Sequence, residues 1–251
     1  MTKLAIITGA SRGLGKNSAL ALADKGINVL FTYHQNKTAA EDVVDTIQQK
    51  GQKAFAIQLD TRDVGAFEAF SSQLGVILER EFGRSDVDYL LNNAGTGVHA
   101  SLESTTYDEL EDMLAIHVKG PFFLTQTLLP FMKNGGHIVN ISSGLARFSL
   151  PGSGAYAMAK GAVEVMTRYM AKEFASRQIR VNTLAPGAIA TDFRGGNVRD
   201  NQQMNQMVSS ITALGRVGEA DDIGNAVAML LSENSGWITG QRIEASGGMF
   251  L

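Results

Sequence analysis

Tyr156 and Lys160 stand four residues apart in a segment of helical period, so their side chains share one face and reach one small ligand together. A tyrosine with an ordinary pKa of about 10 is a poor phenolate source at neutral pH. An ammonium beside it stabilises the phenolate and draws the hydroxyl toward working pH, which makes the pair an acid/base device. Ser142 and Ser143 close a β-branched apolar run, and the Ser143 hydroxyl is placed to donate to an oxygen as charge accumulates on it. A ketone accepting hydride develops that charge and needs a proton. Ser143, Tyr156 and Lys160 are residue types that meet both needs.

A second constellation lies at the start of the chain. The apolar run Leu4 to Thr8 leads into Gly9-Ala10-Ser11-Arg12-Gly13-Leu14-Gly15 and then directly into a helical pattern, the setting in which backbone N–H groups at a helix start receive a pyrophosphate. Gly9 permits the tight turn, Gly13 lets phosphate approach the backbone, and Gly15 lets helix and sheet pack closely. At the end of the second strand, Thr32-Tyr33-His34-Gln35-Asn36-Lys37 offers no carboxylate for a ribose 2′-hydroxyl. Arg12, with Lys37 or His34 as helper, offers a cation for a 2′-phosphate instead, so the expected cofactor is NADP(H). Asp60, after the third strand, either caps the following segment or accepts from an adenine amino group.

These groups need a scaffold that brings strand ends together. Strand-like runs at Leu4 to Thr8, Asn28 to Tyr33, Ala54 to Leu59, Val87 to Asn92, His137 to Ser142, Arg180 to Ala185 and Gln241 to Ala245 alternate with helical patterns. The helices are expected over Leu14 to Lys25, Thr38 to Lys50, Ala66 to Phe82, Tyr107 to Lys133, Ala155 to Arg177 and Ala220 to Leu231. Such alternation forces parallel neighbours and right-handed crossovers. The expected class is α/β: a Rossmann-type doubly wound parallel sheet of about seven strands, helices on both faces, in one domain spanning residues 1–251. Ala190 to Ile211 lacks clear periodicity, and residues 190–215 are expected to form a substrate-binding flap. Phe193, Met204 and Met207 there suit an adaptable apolar pocket, and Arg194 and Arg199 suit an anionic group.

Composition removes other classes. A net charge of −3 with scattered Lys and Arg leaves no phosphate-backbone footprint, so nucleic acid is not an expected partner. There are no cysteines, and the four histidines, His34, His99, His117 and His137, stand apart, so no disulfide or metal site is expected. The N-terminal apolar run is too short for a signal peptide or a membrane span, and a cytoplasmic protein is expected.

From Thr8-Gly9 to Gly247-Gly248 the chain resembles the short-chain dehydrogenase/reductases. The resemblance rests on TGASRGLG at Thr8 to Gly15, Asn92-Asn93-Ala94-Gly95, Ser143, the Tyr156/Lys160 pair, and Pro186-Gly187 followed by Thr191. It implies hydride transfer between a nicotinamide and a ketone or secondary alcohol. It further implies that Asn93, Ala94 and Gly95 steady the central strand and line the cofactor pocket. Pro186, Gly187, Ile189 and Thr191 then contact the nicotinamide side, and Tyr156 and Lys160 touch cofactor as well as substrate. Where that family has a relay asparagine, this chain has His117, which bonds water and titrates near neutrality.

Within the family the chain is closest in appearance to 3-oxoacyl-[acyl-carrier-protein] reductases, through ASRGLG, Leu214-Gly215-Arg216 and Gly247-Gly248-Met249. Thr96-Gly97-Val98-His99 and Ser246 depart from that subgroup, which leaves a free ketone or alcohol open beside a carrier-linked one. Lys133 and Lys172 are cations that an acidic carrier could meet. A catalytically impaired NADP sensor is the reading from another class, and it would need a damaged catalytic set. The resemblance also implies a homotetramer or homodimer, for which the apolar ends at Trp237-Ile238 and Met249-Phe250-Leu251 are candidates for burial.

Overall fold

The β-branched runs pair into one seven-stranded sheet in the order β3-β2-β1-β4-β5-β6-β7, parallel throughout. The strands are β1 (Leu4–Ile7), β2 (Asn28–Tyr33), β3 (Ala54–Gln58), β4 (Val87–Asn92), β5 (Met132–Ile141), β6 (Arg180–Pro186) and β7 (Arg242–Ala245). The helices are α1 (Gly13–Asp24), α2 (Lys37–Gln49), α3 (Phe67–Ile77), α4 (Tyr107–Leu114), α5 (Gly120–Leu128), α6 (Gly154–Glu173), α7 (Asn197–Asp200), α8 (Gln202–Ser210) and α9 (Ala220–Leu231). The structure, a computed structural model, describes residues 2–251; Met1, the first residue of the expected domain, lies outside the described residues.

Because side chains alternate along a strand, β1 feeds two cores at once. Ala5 and Ile7 pack with Val29, Phe31, Leu22 of α1, Val43 of α2 and Val227 of α9 on one face. Leu4 and Ile6 pack with Leu90, Ile138, Leu74 of α3, Leu124 of α5 and Val163 of α6 on the other. The expected doubly wound α/β sheet is therefore the observed one. Among the described residues no helix is long and apolar enough to cross a membrane.

Four stretches differ from expectation, the first being Ala66 to Phe82, which is α3 closed by a π turn over Leu78–Phe82. The predicted helix from Tyr107 to Lys133 is α4, a π turn over Ala115–Lys119, α5 and a short 3-10 turn, after which β5 begins at Met132. Gly120 N–H reaches back five residues to Ala115 O, and Pro121 next to it has no N–H to continue the α pattern. The helix beginning at Ala155 ends at Glu173, not Arg177, with Gln178 in the left-handed region at φ 56°. The segment read as aperiodic contains α7 and α8, and the Asn201 side chain caps α8 by accepting from Met204 N at 3.0 Å. In α8 only Val208 is buried, so no apolar stripe marked the helix in the sequence.

A polar ladder crosses the second core just below the strand ends. Asn92 Nδ2 donates to Thr125 Oγ1 (3.0 Å) and Asn140 Oδ1 (2.8 Å), and Asn140 Nδ2 donates to Thr167 Oγ1 (2.9 Å). Thr183 Oγ1 donates to the same Thr167 oxygen at 2.8 Å, while Thr167 donates to Val163 O. The ladder ties β4, β5 and β6 to α6, whose first turns carry Tyr156 and Lys160; among its polar side-chain atoms Asn92 Oδ1 alone stays without a partner, and directional bonds of this kind favour one registration.

Candidate active site

Gly9, Asn93–Gly95, Ser143 and Pro186–Thr191 lie at or just beyond the carboxyl ends of strands, on the edge where open α/β sheets bind ligands. The strand order reverses between β1 and β4, and a knot of bonds closes that point. Thr8 Oγ1 accepts from Asn93 N and Ala94 N, both at 2.9 Å, and Asn93 Nδ2 donates to Thr8 O and Gly9 O at 2.9 and 3.0 Å. Gly15 packs into the knot: a Cβ there would lie 2.3 Å from Gly9 O and 2.5 Å from Asn93 Nδ2. Since the first clash is with backbone, Gly15→Ala is expected to cost about 1–3 kcal/mol of stability and to weaken dinucleotide binding, checked by urea unfolding and a fluorescence titration with NADPH. Binding and stability equal to those of the parent chain would contradict this packing role.

The glycine turn itself is open. Gly13 (φ +55°) has only Asp192 Oδ1, at 3.6 Å, near where its Cβ would stand. Helix α1 has no side-chain cap and no acid in its first turn, so its leading N–H groups lack side-chain partners, a cradle that fits a pyrophosphate. Ser11 sits within this turn, and Leu14 in the first turn of α1 packs on the core beneath. Arg12 is exposed and its Nη1 pairs with Asp192 at 2.8 Å; Lys37 pairs with Glu41 and His34 with Asp60. Asp60 accepts from Arg62 N at 3.0 Å and from the Arg62 side chain, which also bonds Asp112. Burial pushes the Asp60 carboxyl up, but these bonds and the Arg62 charge hold it below its usual range. It thus occupies the position of a local cap.

Beyond β6, Gly187 lies against Ser246, where a Cβ would come within 2.8 Å of Ser246 Cα. Ile189 forms a bridge with Gly218, and buried Thr191 accepts from Phe193 N at 3.3 Å. Pro186 is the last residue of β6, and this run leads from the sheet into the flap.

Tyr156 and Lys160 are both buried on α6. Lys160 Nζ stands 5.7 Å from the Tyr156 ring centre and donates to Ile141 O at 2.8 Å. Burial lowers its pKa to about 7. Burial raises the Tyr156 hydroxyl, and the Ser143 side chain and the Arg194 charge pull it part of the way back. Ser143 Oγ accepts from Leu145 N at 3.2 Å.

Beneath it lies a cluster that spacing did not signal. Arg242 donates to Ser143 O (3.3 Å) and pairs with Glu164 and Glu244, while Ser142 Oγ donates to Glu164 at 2.8 Å. Glu164 and Arg242 are 78 residues apart, so only the contact of α6 with β7 brings them together.

His117 meets the site edge-on, its ring 5.2 Å from that of Tyr156. Nε2 lies 2.7 Å from Thr96 O, and since a carbonyl only accepts, Nε2 carries the proton. Nδ1 is therefore a buried acceptor, and it has no partner. Burial first, and the Lys160 charge second, hold the imidazole pKa well below its ordinary value. The expectation that His117 titrates near neutrality is thus corrected: the ring stays neutral because it is buried and because the Lys160 charge opposes a second cation beside it. Gly95 makes room for it, since a Cβ there would lie 2.6 Å from His117 Cε1.

A family model described as enoyl-(acyl carrier protein) reductase matches residues 9–250. The chain belongs to the short-chain dehydrogenase/reductase family, a family of oxidoreductases. It is 38% identical over 253 residues to a 3-oxoacyl-[acyl-carrier-protein] reductase FabG of Staphylococcus aureus, covering 100% of this chain and 99% of that one. Among solved structures it is similar to LugOII, a promiscuous reductase that catalyses keto-reduction at C1 during lugdunomycin biosynthesis (37% identity, TM-score 0.93, 98% of this chain and 96% of that chain). It is also similar to the angucycline C-6 ketoreductase LanV with bound NADP (35% identity, TM-score 0.93, 99% and 95%).

Proposed function

We propose that the protein is a cytoplasmic NADPH-dependent ketone reductase, running in the reverse sense as a secondary-alcohol dehydrogenase. The observation that carries this reading is the meeting of Tyr156, Ser143 and Lys160 at the strand edge beside an uncapped glycine turn. The turn Gly9–Gly15 with Ser11, Arg12 and Leu14 holds the pyrophosphate end, Asn93, Ala94 and Gly95 line the pocket, and Pro186, Gly187, Ile189 and Thr191 border the nicotinamide. Asp60 stands at the adenine end. NADP bound to LanV supports the choice of cofactor.

NADPH held by the Gly9–Gly15 turn and the Pro186–Thr191 run would supply the hydride that the carbonyl carbon accepts. Ser143 donates to the carbonyl oxygen and holds it as charge grows there. Tyr156 then passes its phenolic proton to that oxygen, which completes the alcohol, and the protonated Lys160 favours the phenolate left behind. Neutral His117, through Nδ1, accepts from a donor on the proton path, the place where relatives use an asparagine. Presence of the whole catalytic set argues against an impaired sensor.

The flap from 190 to 215 shapes the substrate pocket. The full-length likeness to carrier-protein reductases favours a 3-oxoacyl substrate, and the likeness to LugOII and LanV favours a free ketone. Exposed Phe122, Phe123, Val165, Tyr169 and Trp237 offer apolar surface for a homodimer or homotetramer.

The test is NADPH oxidation at 340 nm, with NADH in parallel, against 3-oxoacyl esters, aromatic ketones and diketones. Turnover is expected with NADPH at a kcat/KM at least tenfold above that with NADH, and Arg12→Ala is expected to reduce that ratio about tenfold, the value of one charge-assisted contact of roughly 1.4 kcal/mol. Tight NADPH binding with no turnover on any ketone would move the reading to a sensor, and preference for NADH would remove Arg12 from the 2′-phosphate site.

A further inference from the structure

Arg194 is held inward over Tyr156 by a backbone that is unusual for an arginine. Its φ and ψ are 50° and 43°, in the left-handed region, and Gly195 and Gly196 follow at φ 74° and 77°. A left-handed conformation costs a residue with a Cβ free energy, so it persists where surrounding contacts enforce it. Here the contacts are Nη2 donating to Val98 O at 2.7 Å and Nη1 donating to Ser153 Oγ at 3.2 Å. The guanidinium carbon lies 5.2 Å from the Tyr156 ring centre and 5.8 Å from that of Phe193. Gly97 leaves the space: a Cβ there would fall 2.6 Å from Arg194 Nε and 2.8 Å from Phe193 Cζ.

Among the described residues no carboxylate pairs with this arginine. Partly buried Arg62, Arg84 and Arg242 each pair with carboxylates. The one ionisable group that favours the charged form of Arg194 is Tyr156 itself, and burial opposes that charge. Nε is buried without a partner. A half-buried cation with an unfilled donor destabilises the site unless something anionic joins it. On the same flap Arg199 is exposed and pairs with Asp200, so flap arginines are not generally left free.

We infer that Arg194 is the specificity-determining residue of the substrate pocket, and that the preferred substrate is a ketone carrying a second, acidic oxygen, a carboxylate or an ionised enol or phenol, which pairs with the Arg194 guanidinium while Tyr156 serves the carbonyl. The inference rests on the ketone-reductase reading. Hinge-like left-handed residues at 194–196 let the flap admit the substrate, and the Phe193 and Tyr156 rings, 5.9 Å apart, border its apolar part.

The test compares benzoylformate with its methyl ester as NADPH-dependent substrates, and benzoate with benzamide as ligands measured by calorimetry, with and without NADPH. The parent protein is expected to prefer the acid in both pairs. Arg194→Met is expected to reduce the acid-to-ester ratio of kcat/KM, and the benzoate-to-benzamide ratio of affinities, about 10- to 100-fold, the worth of charge-assisted hydrogen bonds. Arg194→Lys should recover part of it, and Arg80→Met, at an exposed arginine paired with Glu81 away from the strand-end edge, should leave both ratios at the parent values. Equal losses for the charged and neutral members, or a parent protein that binds benzoate no better than benzamide, would overturn the inference. Absence of turnover with both ketones, with the benzoate preference intact, would instead count against the reductase reading alone.

Discussion

Tyr156→Phe is expected to lower kcat/KM by about 10³-fold or more, the upper range for removal of a positioned acid, while NADPH binding changes less than about threefold. The expectation follows from what the phenyl ring already does. It packs edge-on against His117, lies beside Phe193 and under Arg194, and phenylalanine preserves those contacts. Only the hydroxyl, which the Ser143 side chain and the Arg194 charge influence, is removed. Assays at 340 nm, run beside a fluorescence titration with NADPH, separate chemistry from binding. Activity within tenfold of the parent protein would mean that the proton comes from elsewhere.

Lys160→Met is expected to cost at least about 10²-fold in kcat and also to change how stability depends on pH. Burial lowers the Lys160 pKa from 10.5 to about 7 in the folded protein. Above about 10.5 both folded and unfolded chains carry a neutral amine and the shift costs nothing. As the pH falls from about 10.5 the unfolded chain gains the proton first, so the parent protein loses stability until about pH 7 and then no more. At about 1.4 kcal/mol per unit the accumulated penalty is on the order of a few kcal/mol. Loss of the Nζ bond to Ile141 O leaves that carbonyl unpaired and offsets about 1–3 kcal/mol of the variant's gain. Urea unfolding at pH 6 and pH 9 should therefore show the parent gaining on Lys160→Met as pH rises. A stability difference independent of pH would show that Lys160 keeps an ordinary pKa. A residue that destabilises its own fold is retained for what its charge does, and here that charge stands 5.7 Å from the Tyr156 ring.

Much of the scaffold was legible because period and punctuation carry it. All seven strand runs were readable as short β-branched segments, and β1 and β4 reproduced their expected extent to within one residue. The misreadings fell where a local pattern has no apolar signature. The π turn before Gly120 keeps a helical apolar stripe while changing the hydrogen-bond step, so Tyr107 to Lys133 read as one helix. In the flap, α8 buries only Val208, and its polar residues read as loop.

The site divides in the same way. Tyr156 and Lys160 share a helix face, and Gly9, Gly13 and Gly15 share one turn, so spacing alone determined their proximity: these are local relations of period and tight backbone. Ser143 was placed by its position at a strand end, which a parallel sheet brings to one edge, and Asn93 and Thr191 were placed by family resemblance. Relations between separate segments were decided only by tertiary structure. The ring of His117 is neutral because packing buries it and the Lys160 charge opposes a second cation, against the pull of its bond to Thr96 O, and no feature of its neighbours in sequence states that. Arg12 faces Asp192, Arg242 braces Ser143, and Arg194 lies over Tyr156, each joining residues 38 to 180 positions apart. Side-chain pattern along a chain records which surface an element must bury; charge pairing, desolvation and an unfilled donor depend on which other element arrives there, and that is a property of the packed molecule.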